Sequence, residues 1–177
     1  MVGALRRFGA PGFAVDLGCG QGRDTLAMLE LGWHVLAIDA EPEAIQRLRA
    51  RAGDEPRLET RVASFVDAGW PDADLVNAGY ALPFCPPEQF DEVWARVVAS
   101  VRPGGRFSGQ LFGDRDEWVN DPELTFLTRT DALRLLAGFE LERFDEEDAD
   151  GQTALGDAKH WHVFHVIARR TAPAARA

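Results

Sequence analysis

The run Asp16-Leu17-Gly18-Cys19-Gly20-Gln21-Gly22 has the composition of a ligand cradle. Glycines let the backbone pass within contact distance of a ligand, and a helix beginning beyond them aims unpaired N–H groups at an anion. Asp39, with Ala40 beside it, stands where a carboxylate can accept two hydrogen bonds from ribose hydroxyls. A nucleoside carrying an anionic group is the implied shape. Dinucleotide sites use the spacing GxGxxG, whereas this chain has GxGxG with a carboxylate, Asp16, two positions before the first glycine. That carboxylate repels a pyrophosphate and suits an ammonium group.

Three other stretches carry groups able to touch a second ligand. Tyr80-Ala81-Leu82-Pro83-Phe84-Cys85-Pro86-Pro87 is an aromatic loop stiffened by prolines, which walls a pocket or simply leads into a helix. Asp114-Arg115-Asp116-Glu117-Trp118 sets a tryptophan among charges, and a lid is favoured over a plain solvated loop. Lys159 to His165 holds three of the four histidines, and strand alternation puts His160 and His162 on one face with His165 on the other. Two histidines lack a nominated third ligand, so no metal is expected. Cys85 has nothing adjacent to lower its pKa and reads as an inert thiol.

The elements that position these groups follow from apolar spacing. Phe13 to Leu17 reads as a strand, Thr25 to Leu31 as a helix, and His34 to Ile38 as a second strand. A helix from Pro42 to Ala52, stopped by Gly53, completes a βαβ unit. Further strands are expected at Leu58 to Val62 and Asp74 to Ala78. Phe90, Val93, Trp94, Val97, Val98 and Val101 recur at helical spacing within Glu88 to Val101. Pro103-Gly104-Gly105 then turns the chain into a strand at Arg106 to Phe112. A short helix after Thr130-Asp131 closes at Gly138, and the strands Phe139 to Phe144 and His160 to Ala168 follow with no helix between them. The acidic run Asp145 to Asp150 reads as a solvated hairpin loop. The expected fold is α/β: a Rossmann-like, doubly wound, mostly parallel seven-stranded sheet with an antiparallel last strand and helices on both faces. Residues 1–177 read as one domain, with 1–12 a lead-in and 171–177 a tail.

Composition narrows the partners. The 177 residues carry 19 Lys plus Arg against 29 Asp plus Glu, a formal charge of -10, which argues against nucleic acid. No apolar run reaches the roughly 18 residues of a membrane span and no signal peptide is read, so a cytoplasmic protein is expected. Two cysteines make no disulfide framework.

The segment VDLGCGQG, followed by Asp39 after strand two and the RPGG turn before strand five, resembles the class I S-adenosylmethionine-dependent methyltransferases. Within them GCGQGRDTLAMLELGWHVLAIDAEPEAI is most similar to the small-molecule branch that includes tellurite-resistance and thiopurine methyltransferases. The resemblance implies S-adenosyl-L-methionine as cofactor, S-adenosyl-L-homocysteine as product and a small-molecule methyl acceptor. It places the methionine part along Asp16, Gly18, Cys19, Gly20 and Gly22, with Arg23 near its carboxylate, and the ribose on Asp39. Ser64 departs from the acidic residue many relatives place after strand three; its hydroxyl and the Phe65 N–H are left to serve the adenine. Asn77 and Tyr80 end strand four, where the methyl meets its acceptor. Tyr80, Phe84, Asp114 and Trp118 are the expected acceptor contacts, and Tyr80, His160 and His162 the expected catalytic groups. A base is needed only for an alcohol or phenol acceptor. Fewer than fifteen residues precede strand one, where relatives carry helices over the acceptor site, so the expected pocket is open: broad in acceptor range, closed by a second copy in a homodimer, or inactive. A non-catalytic binding module and an NAD-dependent oxidoreductase are the alternatives.

Overall fold

The computed structural model describes residues 2–153 and 155–171. In chain order the elements are α1 (Val2–Leu5), β1 (Phe13–Leu17), α2 (Arg23–Glu30), β2 (His34–Asp39), α3 (Pro42–Ala52), β3 (Leu58–Val62), β4 (Ala73–Ala78), a 3-10 turn (Leu82–Phe84), α4 (Pro87–Ser100), β5 (Val101–Gly113), β6 (Phe126–Leu127), α5 (Arg129–Leu135), β7 (Phe139–Gln152) and β8 (Ala158–Arg170). Seven strands lie side by side in the order β3-β2-β1-β4-β5-β8-β7, and the two-residue β6 adds an eighth by pairing with β5. All pairs are parallel except those of β8, which runs antiparallel to both β5 and β7.

Strand alternation assigns the two faces. Val15, Leu17, Leu36, Ile38, Val76 and Ala78 pack with Phe90, Val93, Trp94 and Val97 of α4 and Ala132 of α5. Their neighbours Ala14, Val35 and Leu75 pack with α1 and with Met28 and Leu29 of α2, while Ala37 meets Ile45 and Leu48 of α3. Strands covered on both sides are mostly apolar, which is why Phe13 to Val15 in β1 and Val35 to Ile38 in β2 are hydrophobic runs. Having laid down β1, β2 and β3 in one direction, the chain returns to β4 on the other side of β1. A crevice therefore opens at the carboxyl ends of β1 and β4.

Local chemistry sets the ends of the helices. Gly32 (φ 87°) donates its N–H to the Leu29 carbonyl past α2, Pro42 opens α3, and Gly53 (φ 63°) ends it. At α5 the cap is Thr128, whose Oγ1 accepts from the Asp131 N–H at 3.1 Å, so the helix starts one residue before Thr130. The RPGG turn lies inside β5 rather than before it: Val101 already pairs with Ala73, and the ladder resumes at Arg106 opposite Leu75.

The expectation of a hairpin loop at Asp145 to Asp150 is overturned. These residues continue β7 and pair with β8, setting Asp145 opposite His165, Asp148 opposite His162 and Asp150 opposite His160. Histidines across the ladder, with Arg115 beside them, offset the like charges that made the run look like a loop. The turn falls later, where the Thr153 N–H bonds to the Asp157 carbonyl at 2.8 Å. Of the expected tail, only Thr171 lies within the described residues.

Trp94 fixes α4 to the sheet and to α5, its ring edge-on to Phe107 at 5.0 Å and its Nε1–H on the Leu135 carbonyl at 3.1 Å. Trp94→Ala should cost about 3–5 kcal/mol in urea unfolding, from lost burial plus a cavity.

Candidate functional site

The glycine turn after β1 is held by side chains beneath it. Asp16 is 1% exposed; its Oδ2 accepts from the Thr25 hydroxyl at 2.5 Å and its Oδ1 from the Asn77 amide at 2.8 Å. Asp16 and Asn77 are register partners across β1 and β4, and Thr25 comes from α2, so one carboxylate joins the three elements that meet at the crevice. The Asn77 amide also reaches Asp24 at 3.2 Å. Two carboxylates hold its Nδ2 end, and Oδ1 is buried without a hydrogen-bond partner among the described residues. Burial pushes the Asp16 pKa up to about 6, against the lowering pull of Thr25 and Asn77.

The glycines of the motif differ in purpose. A Cβ on Gly18 would strike Ala81 at 2.4 Å and one on Gly22 would strike Leu48 at 2.2 Å, so those two are glycine because the fold is tight around them. Beyond its two chain neighbours, Gly20 (φ +53°) has no atom of the described residues within 4 Å of its Cβ position, so its bareness leaves room for close approach by a ligand. Asp39 closes the cradle: its Oδ2 accepts from the Gly20 N–H at 2.7 Å and its Oδ1 from the Glu41 N–H at 2.9 Å. Arg51 pins the turn from α3 through the Gln21 carbonyl at 2.6 Å.

Asp16, Gly18, Cys19, Gly20 and Arg23 line one end of a cleft of about 1110 Å³. Its other end is walled by Tyr80, Phe84, Phe112, Trp118 and Trp161, with Glu147, Leu155 and Asp157 at the rim. Tyr80 is the one non-glycine residue with positive φ (55°) among the described residues, and its N–H is held by Gln110 Oε1 at 3.0 Å. A bulky residue in that conformation is strained, which marks a position where side-chain direction is imposed by the surroundings. Burial also raises the Tyr80 phenol above its ordinary pKa. The Cys19 thiol is pushed up by burial, and that of Cys85 reaches about 11, so neither is a thiolate.

Behind the aromatic wall lies a buried ion pair. Lys159 and Asp116 contact each other at 1% and 0% side-chain exposure, and Asp116 also accepts the N–H groups of Trp118 and His162 at 3.0 and 3.1 Å. The Lys159 ammonium sits 3.7 Å from the Trp161 ring centroid and 4.3 Å from that of Trp118. The loop expected to act as a lid is thus stapled to β8.

The structure brings Asp16, Gly18, Cys19, Gly20, Arg23, Tyr80, Phe84 and Trp118 to this cleft, with Asn77 and Gly22 directly beneath its floor. Asp39, Ala40, Ser64 and Phe65 share the same sheet edge at the ends of β2 and β3 but lie outside the cleft lining. Ser64 Oγ donates to Asp67 at 2.7 Å, and Arg96 holds the following loop through the carbonyls of Phe65, Val66 and Ala68. Asp114, 44% exposed, is likewise outside it. His160 and His162 are not brought to the cleft either. His160 is held between Asp150 (2.7 Å) and Asp148 (2.9 Å), which raise its pKa, and His162 accepts from the Arg115 N–H and faces Glu146. The residue between them, Trp161, is the one that reaches the wall. Phe112, Glu147 and the Lys159–Asp116 pair are contributors that the sequence reading missed; the alternation that placed His160 and His162 together also put Trp161 on the opposite face.

A doubly wound sheet with an open glycine turn at its switch point and a carboxylate at the end of β2 defines a nucleoside-cofactor protein. The model of a methyltransferase domain matches residues 14–105, just over half of the chain, and the chain belongs to that family. It is 29% identical over 141 residues to Hemagglutinin 1 of Eikenella corrodens, covering 77% of this chain and 47% of that protein. The chain spans about half the length of the curated relatives it matches. Among solved structures, TehB from Haemophilus influenzae superposes with a TM-score of 0.84 at 17% identity, over 96% of this chain and 61% of that one. The 1,6-didemethyltoxoflavin-N1-methyltransferase of Burkholderia thailandensis, solved with 1,6-didemethyltoxoflavin and S-adenosylhomocysteine bound, gives 0.71 at 24% identity, over 97% and 76%. These likenesses show the methyltransferase fold.

Two outcomes test the cradle. Gly20→Ala should keep most of the stability, losing about 1 kcal/mol to its left-handed conformation, whereas Gly18→Ala and Gly22→Ala should lose several times more in urea unfolding. Asp16 costs the free protein stability: the folded state holds its proton up to about pH 6, the unfolded chain only to about pH 4, so stability falls as pH rises through that window. Asp16→Asn should raise the unfolding free energy at pH 7.5 by up to roughly 3 kcal/mol, with a gain that shrinks toward pH 4.

Proposed function

We propose that the chain is an S-adenosylmethionine-dependent methyltransferase acting on a small molecule, and that residues 1–177 form its catalytic domain. The observation that carries this reading is the continuity of one cleft from the glycine turn to the aromatic wall. The unpartnered Asn77 Oδ1 and the open space over Gly20 fit a ligand that brings an N–H donor and presses close to the backbone. When bound, S-adenosylmethionine supplies a methyl group on a sulfonium sulfur, a leaving group already positively charged. The chain's part is then to orient. Asp16 and Asn77 offer acceptors to an ammonium, Arg23 at the start of α2 lies where a carboxylate would sit, and Asp39 keeps Gly20 turned toward the ligand. Tyr80 and the aromatic wall position the acceptor and exclude water, the main requirement of an in-line displacement. His160 and His162 serve as scaffold in this reading, because both imidazoles are occupied by carboxylates away from the cleft.

Among the described residues no helix is long and apolar enough to cross a membrane. A cytoplasmic location is part of the proposal, as is a homodimer closing the cleft rim at the half-exposed Phe84. Neither nucleic acid nor lipid is an expected partner.

Calorimetric titration should show S-adenosylmethionine and S-adenosylhomocysteine binding and NAD failing to compete. Asn77→Ala, which removes the free acceptor, should weaken both by about tenfold. Transfer of labelled methyl onto a panel of thiol, amine, phenol and metalloid acceptors then separates an enzyme from a binding module. Binding without transfer to any of them would return the non-catalytic reading, and no binding would overturn the proposal.

A further inference from the structure

The acceptor half of the cleft is unusual in its charge. Tyr80, Phe84, Phe112, Trp118 and Trp161 present rings, and the ionisable groups that accompany them at the rim are the carboxylates of Glu147 and Asp157. Among the described residues, no lysine or arginine lines that half; Arg23 and Arg51 belong to the glycine-turn end. Lys159, the nearest cation, is 1% exposed at its side chain, neutralised by Asp116 and placed behind the rings.

The position of Glu147 is fixed by more than its strand. Its Oε2 is 2.7 Å from His165 Nε2, and His165 in turn lies 6.4 Å, ring to ring and edge-on, from Tyr80. One carboxylate oxygen is therefore engaged on β8 while the other stays available toward the cleft that Glu147 lines. The mouth is apolar as well: Phe84 is 51% exposed and Leu155, at the tip of the β7–β8 hairpin, 91% exposed. Rings attract a cation through their π faces, and carboxylates attract it by charge. An anion entering this half meets two carboxylates and no compensating cation.

Resting on the methyltransferase reading, we propose that the acceptor is an arylalkyl amine that binds as the ammonium: its ring lies against Trp118, Trp161 and Phe112, and its nitrogen is held by Glu147 and sheds its proton to water before it acts as a nucleophile. This makes Glu147 the residue that selects for charge and the aromatic wall the surface that selects for shape.

The test uses the full chain saturated with S-adenosylhomocysteine, whose own binding is measured first by calorimetry. Quenching of tryptophan fluorescence then reports the binding of four probes: 2-phenylethylamine, 2-phenylethanol, 3-phenylpropanoate and n-butylamine. The arylalkyl amine should bind at least tenfold tighter than the alcohol and the aliphatic amine, and the carboxylate should not bind detectably. Glu147→Gln, which keeps shape and can still accept from His165, should erase the preference for amine over alcohol while leaving alcohol binding unchanged. Equal binding of alcohol and amine, tight binding of the carboxylate, or a preference that survives Glu147→Gln would each overturn the inference. Failure of S-adenosylhomocysteine to bind counts against the methyltransferase reading; success there with no amine selectivity counts against this inference alone.

Discussion

A buried carboxylate whose hydrogen bonds come from neutral side chains is the constraint on which the rest of this structure turns. Asp16 sits in β1, buried to 1% exposure, and is hydrogen-bonded by a hydroxyl and an amide. Those two partners come from α2 and β4, so the polar requirement of one atom pair fixes how the first helix and the fourth strand meet the first strand. Asn77, drawn toward Asp16 and Asp24, is left with an unanswered oxygen. The glycine turn rests on that arrangement and is tied from the far side by Asp39. The region pays for its readiness in stability, as sites prepared for a charged ligand commonly do.

A second polar knot does for the acceptor wall what Asp16 does for the cradle. Asp116 gathers a lysine ammonium and two backbone N–H groups in a dry interior, which locks the segment after β5 onto β8. Fully satisfied buried charge is costly to disturb, because removing one partner strands the other. Trp118 and Trp161 are consequently carried on segments tied to each other by that buried pair.

The sequence disclosed the parts of the fold whose requirements are local. Apolar runs, the helical spacing from Phe90 to Val97 and the glycines after β1 each report on neighbours a few residues away, and the doubly wound class with its reversed last strand follows from the alternation of strands and helices. Asp39 was legible as a carboxylate at a strand end, but its bond to Gly20 was not, since nothing nearby in sequence announces it. Asp145 to Asp150 looked like a loop because its histidine partners lie on the following strand. Lys159 and Asp116 are 43 residues apart, and nothing near either in the sequence announces their pairing. His160 and His162 carry titratable rings on β8, and the same period-two count that pairs them sets Trp161, between them, on the opposite face.

The acid-rich mouth of the cleft also bears on traffic. With a formal charge of -10, the chain surrounds itself with a negative potential that raises the encounter rate of cations and lowers that of anions. In the proposed reaction, methyl transfer from a sulfonium removes a positive charge from the donor, so the spent cofactor would no longer experience the long-range attraction that helped its precursor arrive. The field thus favours entry of the charged donor over re-entry of its neutral product, a directional bias supplied by residues remote from any reacting atom and weakened by added salt.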